Sequence, residues 1–287
     1  MLTAAHNWDT TAVTGLSFHI GGVSYPAQPA AWLQNPGWVS SPSVSLNQGW
    51  DMALFRLASP VVGVVPATLY GGTSELGASV TFLGAGLAGT AATGPRSNST
   101  PNFYAGTNVI DRVLSMDGAA GSGGLLAWDF DDGSTLRNTL TGVAVANETG
   151  TFSTVTGAMV LAQSSSVSPT SFEATSAAGD SGAPVFADFG TGPELIGLVS
   201  WGVNPSAPAN LYGSGYGDIT YLTRISAQRD WIYATIPEPA WSALAFGAGM
   251  LILAMLRRRR SHSSADFQPA SAERKIDAVS PTGNFAP

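Results

Sequence analysis

The sequence predicts an all-β fold, and three features of its composition favour that class. Charged residues make up only 11% of the 287 residues, whereas 34 glycines and 18 prolines punctuate the chain. Between these turn-forming residues lie short runs rich in valine, leucine and threonine, the pattern of a β-barrel or β-sandwich. A hydrophobic content of 44% is ample for a core in a chain of this length.

Three short segments, far apart in the chain, carry residues suited to nucleophilic catalysis. They are Leu-Thr-Ala-Ala-His ending at His6, Asp-Met-Ala-Leu beginning at Asp51, and Gly-Asp-Ser-Gly-Ala-Pro around Ser181. Taken singly, each has an ordinary explanation as a structural histidine, a strand start or a turn. Taken together they matter more, because a serine hydroxyl is a weak nucleophile that needs a base, and the base needs an orienting partner.

In this order the three segments resemble the T-A-A-H, D-I-A-L and G-D-S-G-G-P signatures of the trypsin/chymotrypsin family. Val199–Gly202, with the sequence Val-Ser-Trp-Gly, is similar to the substrate-binding strand of that family, and residues 223–232 are similar to its closing helix. The resemblance implies two packed six-stranded antiparallel β-barrels over residues 1–236. It also implies that the first barrel is incomplete, since its first strands would precede Met1.

The same resemblance implies a catalytic role for each site residue. Ser181 would attack the scissile carbonyl, His6 would take and return the proton, and Asp51 would orient the imidazole. The backbone N–H groups of Gly179 and Ser181 would form the oxyanion hole. Asp180 corresponds to the acid that pairs with a freed N-terminal ammonium in this family. The expected activity is that of a serine endopeptidase acting on polypeptides, without a cofactor.

Substrate preference is expected from the residue six positions before the nucleophile. An aspartate at that position selects arginine or lysine in the family, whereas this chain has Thr175. We therefore expect cleavage after a neutral, apolar side chain of small or medium size. Ser200, Trp201 and Gly202 would pair with the substrate backbone as with an added strand.

The chain departs from the family pattern in several places. It has no cysteine, and the position after the histidine, where animal relatives carry one, is Asn7. Ala183 replaces the second glycine of the nucleophile motif. A signal peptide, an activation site and several strands would normally precede the T-A-A-H block, so we expect Met1 to be an internal residue miscalled as the start. The alternative function is a catalytically inactive trypsin-like surface-binding protein.

The C-terminal part has a different composition. Pro237-Glu238-Pro239 is followed by an uncharged run, residues 240–256, and by four arginines, residues 257–260. As a helix the run would span roughly 25 Å, the short end of a membrane crossing, with the arginines on the cytoplasmic side. This block resembles the PEP-CTERM sorting signal of Gram-negative bacteria. It implies processing by an exosortase-type enzyme and an exported, membrane-tethered protein, with a disordered tail over residues 261–287.

Charge and spacing exclude two other classes. Residues 1–236 contain six basic and fifteen acidic residues, an unfavourable balance for binding nucleic acid. The acidic cluster Asp129, Asp131 and Asp132 invites a calcium site, but its spacing fits no EF-hand and an acidic surface turn is the better interpretation. We therefore assign no metal.

Overall fold

A computed structural model of the chain describes residues 1–9, 15–38, 48–96, 103–114, 123–140, 165–203 and 214–236. Most of these residues belong to one compact unit, Met1–Thr235. The expected sorting segment (237–260), its helix (240–256) and the expected disordered tail (261–287) lie outside the described residues. Within the described ranges, no helix has the length and apolarity that a membrane crossing requires.

β-Strands dominate the described part of the chain, which confirms the all-β prediction. The strands are β1 (Leu2–Thr3), β2 (Ser17–Ile20), β3 (Val23–Gln34), β4 (Ala53–Leu57), β5 (Thr68–Leu69), β6 (Ser79–Gly84), β7 (Ala88–Thr90), β8 (Gly94–Arg96), β9 (Tyr104–Val109), β10 (Arg112–Leu114), β11 (Leu125–Asp129), β12 (Pro184–Asp188), β13 (Pro193–Val203) and β14 (Ile219–Arg224). The helices are α1 (His6–Asp9) and α2 (Ile225–Thr235).

The first sheet contains four antiparallel strands in the order β1-β4-β3-β2. Thr3 of β1 lies opposite Ala53 of β4. Because α1 starts just after β1 and Asp51 lies just before β4, this pairing brings His6 and Asp51 to the same end of the sheet. Buried apolar side chains beneath it include Ala5, Trp38, Ala53 and Phe55.

The second sheet contains eight strands in the order β10-β11-β14-β13-β12-β6-β9, with β5 parallel to β13. Its two edge strands, β9 and β10, follow one another in the chain through Ile110 and Asp111. The chain therefore passes from one edge of the sheet to the other, and the sheet curls on itself around a core. That core includes Val80, Phe82, Ile110, Leu126, Trp128, Val185, Ile196, Val199 and Leu222.

The two curled sheets agree in outline with the expected pair of β-barrels, of which the first was expected to be incomplete and the second to have six strands. Among the described residues the sheets have four and eight strands. The larger count in the second sheet includes β5, a two-residue strand that adds in parallel beside Glu194 and Leu195 of β13. A separate two-stranded ribbon, β7 with β8, follows β6.

Helix α2 packs where the two sheets meet. Ile232 of the helix, Leu198 of β13 and Met52, next to Asp51, share one buried cluster. A buried polar contact adds to it, since the Asn35 side-chain amide donates to Gln228 Oε1 at 2.7 Å. The apolar cluster holds the Asp51 segment against the second sheet, whereas the Asn35–Gln228 bond joins α2 to the residue that follows β3.

Candidate active site

His6, Asp51 and Ser181 meet in the folded chain although 175 positions separate the first from the last. His6 Nδ1 lies 2.7 Å from Asp51 Oδ2, and His6 Nε2 lies 2.7 Å from Ser181 Oγ. Asp51 is fully buried, whereas His6 and Ser181 are partly exposed. The arrangement therefore has a buried acid on one side of the imidazole and an accessible hydroxyl on the other.

The Asp51 carboxylate is held by three hydrogen-bond partners. Oδ1 accepts the backbone N–H of His6 at 2.8 Å, and Oδ2 accepts the Ser200 hydroxyl at 2.5 Å in addition to facing the imidazole. The Asp51 carbonyl also accepts the Thr223 hydroxyl at 3.1 Å. These bonds offset the cost of burying a charged carboxylate.

Ser200 reaches Asp51 because β13 carries a β-bulge at this point. The pairing of β13 with β14 shifts register between Val199 and Trp201, so Ser200 has no partner in the ladder. A bulge re-aims the side chain of the extra residue, and here the Ser200 side chain is buried against Asp51. The sequence predicted that Ser200 pairs with the substrate backbone, which stays a prediction, and the structure adds a contact of its hydroxyl with the acid.

The loop around Ser181 depends on two glycines with positive φ, Gly179 at 96° and Gly182 at 85°. The Gly182 N–H donates to the Val199 carbonyl at 2.7 Å, and the Ala183 N–H donates to the Asp180 carbonyl at 2.8 Å. A side chain at Gly182 would collide with Thr3 and with the Ala4 backbone. Glycine is thus required where the nucleophile loop crosses the first sheet.

The expected oxyanion donors, the backbone N–H groups of Gly179 and Ser181, flank Asp180. Neither donates to an acceptor within the described residues. These two groups are therefore available to a ligand oxygen in the part of the chain that the structure describes.

Asp180 is buried and satisfied by backbone amides. Its Oδ1 accepts the Gly86 N–H and its Oδ2 accepts the Ala177 N–H, both at 2.8 Å. The Met1 ammonium, the N-terminal group of this chain, instead donates to the Phe55 carbonyl at 2.8 Å. Asp180 therefore anchors the nucleophile loop to the segment that follows β6.

Thr175, expected at the base of the primary pocket, belongs to a cluster of hydroxyls. Thr175 Oγ1 lies 2.8 Å from Thr220 Oγ1, and Ser176 Oγ lies 2.9 Å from the same atom. Thr220 is buried. No motif in the sequence marks Thr220, and its position opposite Thr175 makes this corner of the site polar and uncharged.

Trp201 and Gly202 lie on the stretch of β13 that extends beyond its pairing with β12. That pairing runs only as far as Leu198, opposite Pro184. The Trp201 ring stacks on Tyr221, with ring centroids 4.1 Å apart. The strand itself continues to Val203, so Trp201 and Gly202 pair with β14 but not with β12.

A second group of carboxylates lies buried in the second sheet, away from the triad. Burial and the neighbouring charge of Asp129 raise the pKa of Asp131 to about 8, and burial is the main cause that raises the pKa of Asp111 to about 7. The Asp129 carboxylate accepts the Leu140 N–H and the Ser165 hydroxyl.

The interpretation of Asp129 and Asp131 as a surface turn is wrong, since both are buried. Within the described ranges, no set of three or more such side chains is arranged to hold a metal ion.

The chain is similar to known proteins at two levels, in a segment that contains the nucleophile motif and in the fold. Residues 119–232 match the model of the Trypsin family. Among solved structures, the chain is similar to neuropsin, a serine protease expressed in the limbic system of mouse brain. The two are 19% identical, the alignment covers 82% of this chain and 83% of that one, and the TM-score is 0.48. No curated protein matches the chain significantly. The family match covers less than half of the chain, and it includes the part that carries Ser181 and Trp201.

Proposed function

We propose that the chain is a serine endopeptidase that hydrolyses peptide bonds through Ser181, His6 and Asp51. One observation carries the proposal, namely that the His6 ring bridges the Ser181 hydroxyl and the Asp51 carboxylate with 2.7 Å contacts on both sides. Hydrogen-bond distance between nucleophile, base and orienting acid is the geometric requirement for activating a serine.

The carboxylate sets the proton positions in this arrangement. An ionised Asp51 can only accept, so the His6 Nδ1 must carry the proton that it donates. The neutral imidazole then presents its Nε2 lone pair to the Ser181 hydroxyl. The tautomer needed for a general base is thereby selected before substrate binds.

The chemistry proceeds in two halves. In the first, Ser181 Oγ attacks the scissile carbonyl carbon, His6 Nε2 takes the hydroxyl proton, and the N–H groups of Gly179 and Ser181 stabilise the oxyanion. Collapse breaks the C–N bond, and the amine leaves with the proton from His6. In the second half, water attacks the acyl-enzyme with His6 again as base, which releases the acid and regenerates Ser181.

The substrate is an extended polypeptide that adds beside residues 200–203 of β13. Two features of β13 support this, since its pairing with β12 ends opposite Leu198 and the strand itself continues to Val203. The residue before the cleaved bond is small and neutral, a preference supported by the uncharged hydroxyl cluster of Thr175, Ser176 and Thr220.

Hydrolysis of an unfolded protein by the full chain tests the proposal. We expect the wild type to release new amino termini, and Ser181→Ala to reduce the rate to background. Ser226→Ala is the matched control, because Ser226 donates to the buried Glu75 at 2.7 Å away from the triad. A folded wild type that binds the unfolded protein without cleaving it would support the alternative of an inactive surface-binding protein.

We further propose that the protein is exported and held in the bacterial cell envelope by residues 237–260. The Pro-Glu-Pro triplet, the apolar run and the arginine cluster support this, and an exosortase-type enzyme is the processing partner that we infer with it. Fractionation of cells expressing the full chain tests the idea. The wild type is expected in the membrane fraction, and replacing the four arginines at 257–260 with alanine is expected to lower its share there. Recovery of both the wild type and this variant in the soluble fraction would contradict the proposal.

A further inference from the structure

Asn7, the residue after the histidine, contacts the nucleophile from a second side. Its Nδ2 donates to the Ser181 carbonyl at 3.0 Å and approaches Thr3 Oγ1 at 3.4 Å. A carbonyl oxygen can only accept, so the side-chain nitrogen, and not its oxygen, must face Ser181. The adjacent residues His6 and Asn7 thus hold the hydroxyl and the main chain of one serine.

The peptide unit between Ser181 and Gly182 is held at both ends. Its C=O accepts from Asn7, and its N–H donates to the Val199 carbonyl at 2.7 Å. Because a peptide unit is planar, two bonds on opposite sides fix its orientation. The orientation of this plane sets where the Ser181 side chain emerges.

These two bonds come from different sheets. Asn7 lies in α1, next to β1 of the first sheet, and Val199 lies in β13 of the second sheet. The chain has no cysteine, so no disulfide joins α1 to the rest of the molecule. A side-chain hydrogen bond therefore connects the histidine-bearing segment to the backbone of the nucleophile.

We propose that Asn7 is a positioning residue for the reaction, since its amide fixes the Ser181 main chain at the distance from His6 that proton transfer requires. The proposal rests on the proposed hydrolytic function. It assigns Asn7 no contact with substrate, so its loss is expected to lower kcat and leave KM almost unchanged.

The test compares Asn7→Asp with Asn35→Asp in the full chain. The carboxylate introduced by Asn7→Asp would keep the shape of the side chain but place an acceptor against the Ser181 carbonyl. We expect kcat to fall at least about tenfold with KM within about twofold. Asn35 is the matched control, because it is a buried asparagine whose amide donates to Gln228. Asn35→Asp is expected to lower the midpoint of thermal unfolding while kcat of the folded protein is retained.

The rate of Ser181 labelling by a fluorophosphonate gives a second readout that needs no peptide substrate. A slower rate in Asn7→Asp, at an unfolding midpoint no lower than that of Asn35→Asp, supports the proposal. If Asn7→Asp fails to fold, Asn7→Ala replaces it, because this half-buried position then carries no charge. Wild-type kcat and labelling in the folded variant would overturn the role of Asn7 alone. A folded wild type that neither labels nor hydrolyses would overturn the proposed function itself.

Discussion

The Ser200 hydroxyl donates to Asp51 Oδ2 at 2.5 Å, on the same oxygen that faces His6. Asp51 lies at the end of the first sheet, and Ser200 lies at the bulge of β13 in the second sheet. The second sheet therefore supplies Ser181 and also orients the acid that acts on His6.

Ser200→Ala is expected to lower kcat/KM roughly ten- to hundredfold, because a hydrogen bond to a buried carboxylate is lost. Steady-state hydrolysis measures the effect. Ser226→Ala serves as the control, since Ser226 also donates to a buried carboxylate, Glu75, outside the site. Equal loss of activity in both variants would show that Ser200 acts only through overall stability.

Asp51→Asn is expected to reduce kcat by about 10⁴ with little change in fold, because an amide nitrogen facing His6 Nδ1 selects the wrong imidazole tautomer. Circular dichroism checks the fold, and peptide hydrolysis gives kcat. A variant with more than one tenth of the wild-type kcat would contradict the assignment of Asp51.

Gly182→Ala is expected to reduce activity at least about tenfold, since the added methyl group would collide with Thr3 and Ala4 and displace Ser181. Gly190→Ala is the control. Gly190 has a similar positive φ of 98°, with open space around the position. The control isolates the backbone strain, so similar activities of the two variants would show that the close approach to β1 has no catalytic consequence.

Stability is expected to fall as the pH rises between about 4 and 8. In the folded chain, burial raises the pKa of Asp131 from 3.8 to about 8, so folding favours the protonated acid. Its contribution is fully present below pH 3.8 and is lost progressively as the pH rises through about 8. Urea unfolding at pH 5 and pH 9 measures this change.

Asp131→Asn is expected to flatten that decline, because the amide has no charge to bury. The exposed Asp188, which accepts the Gly190 N–H in a turn, provides the control substitution Asp188→Asn. An unchanged pH dependence in Asp131→Asn would contradict the assignment of the decline to this acid.

The sequence predicted His6, Asp51 and Ser181 as site residues, because a serine nucleophile needs a base and an acid and each of the three lies in a short recognisable motif. The strand pairing of Thr3 with Ala53 explains why His6 and Asp51 then lie together. Thr175 and Ser200 show the limit of that reasoning. The Thr175 side chain contacts Thr220 through tertiary packing, and the Ser200 side chain contacts Asp51 because of a β-bulge. Neither the packing nor the bulge can be predicted from a local sequence pattern.

The contact between Asn7 and Ser181 could not be predicted from the sequence either. The departure of Asn7 from the family pattern was visible beside His6, but its bond to Ser181 joins residues 174 positions apart. The buried state of Asp129 and Asp131 was also missed, since an acidic turn and a buried carboxylate cluster look alike in sequence. Such partners become apparent only once the sheets are assembled.

The most direct test of the central claim is mass spectrometry of the full chain after reaction with a fluorophosphonate. We expect one adduct per chain, located on the peptide that contains Ser181, and its loss in His6→Ala as well as in Ser181→Ala. Labelling of folded protein at another serine, or undiminished labelling without His6, would show that the three residues do not act together as proposed.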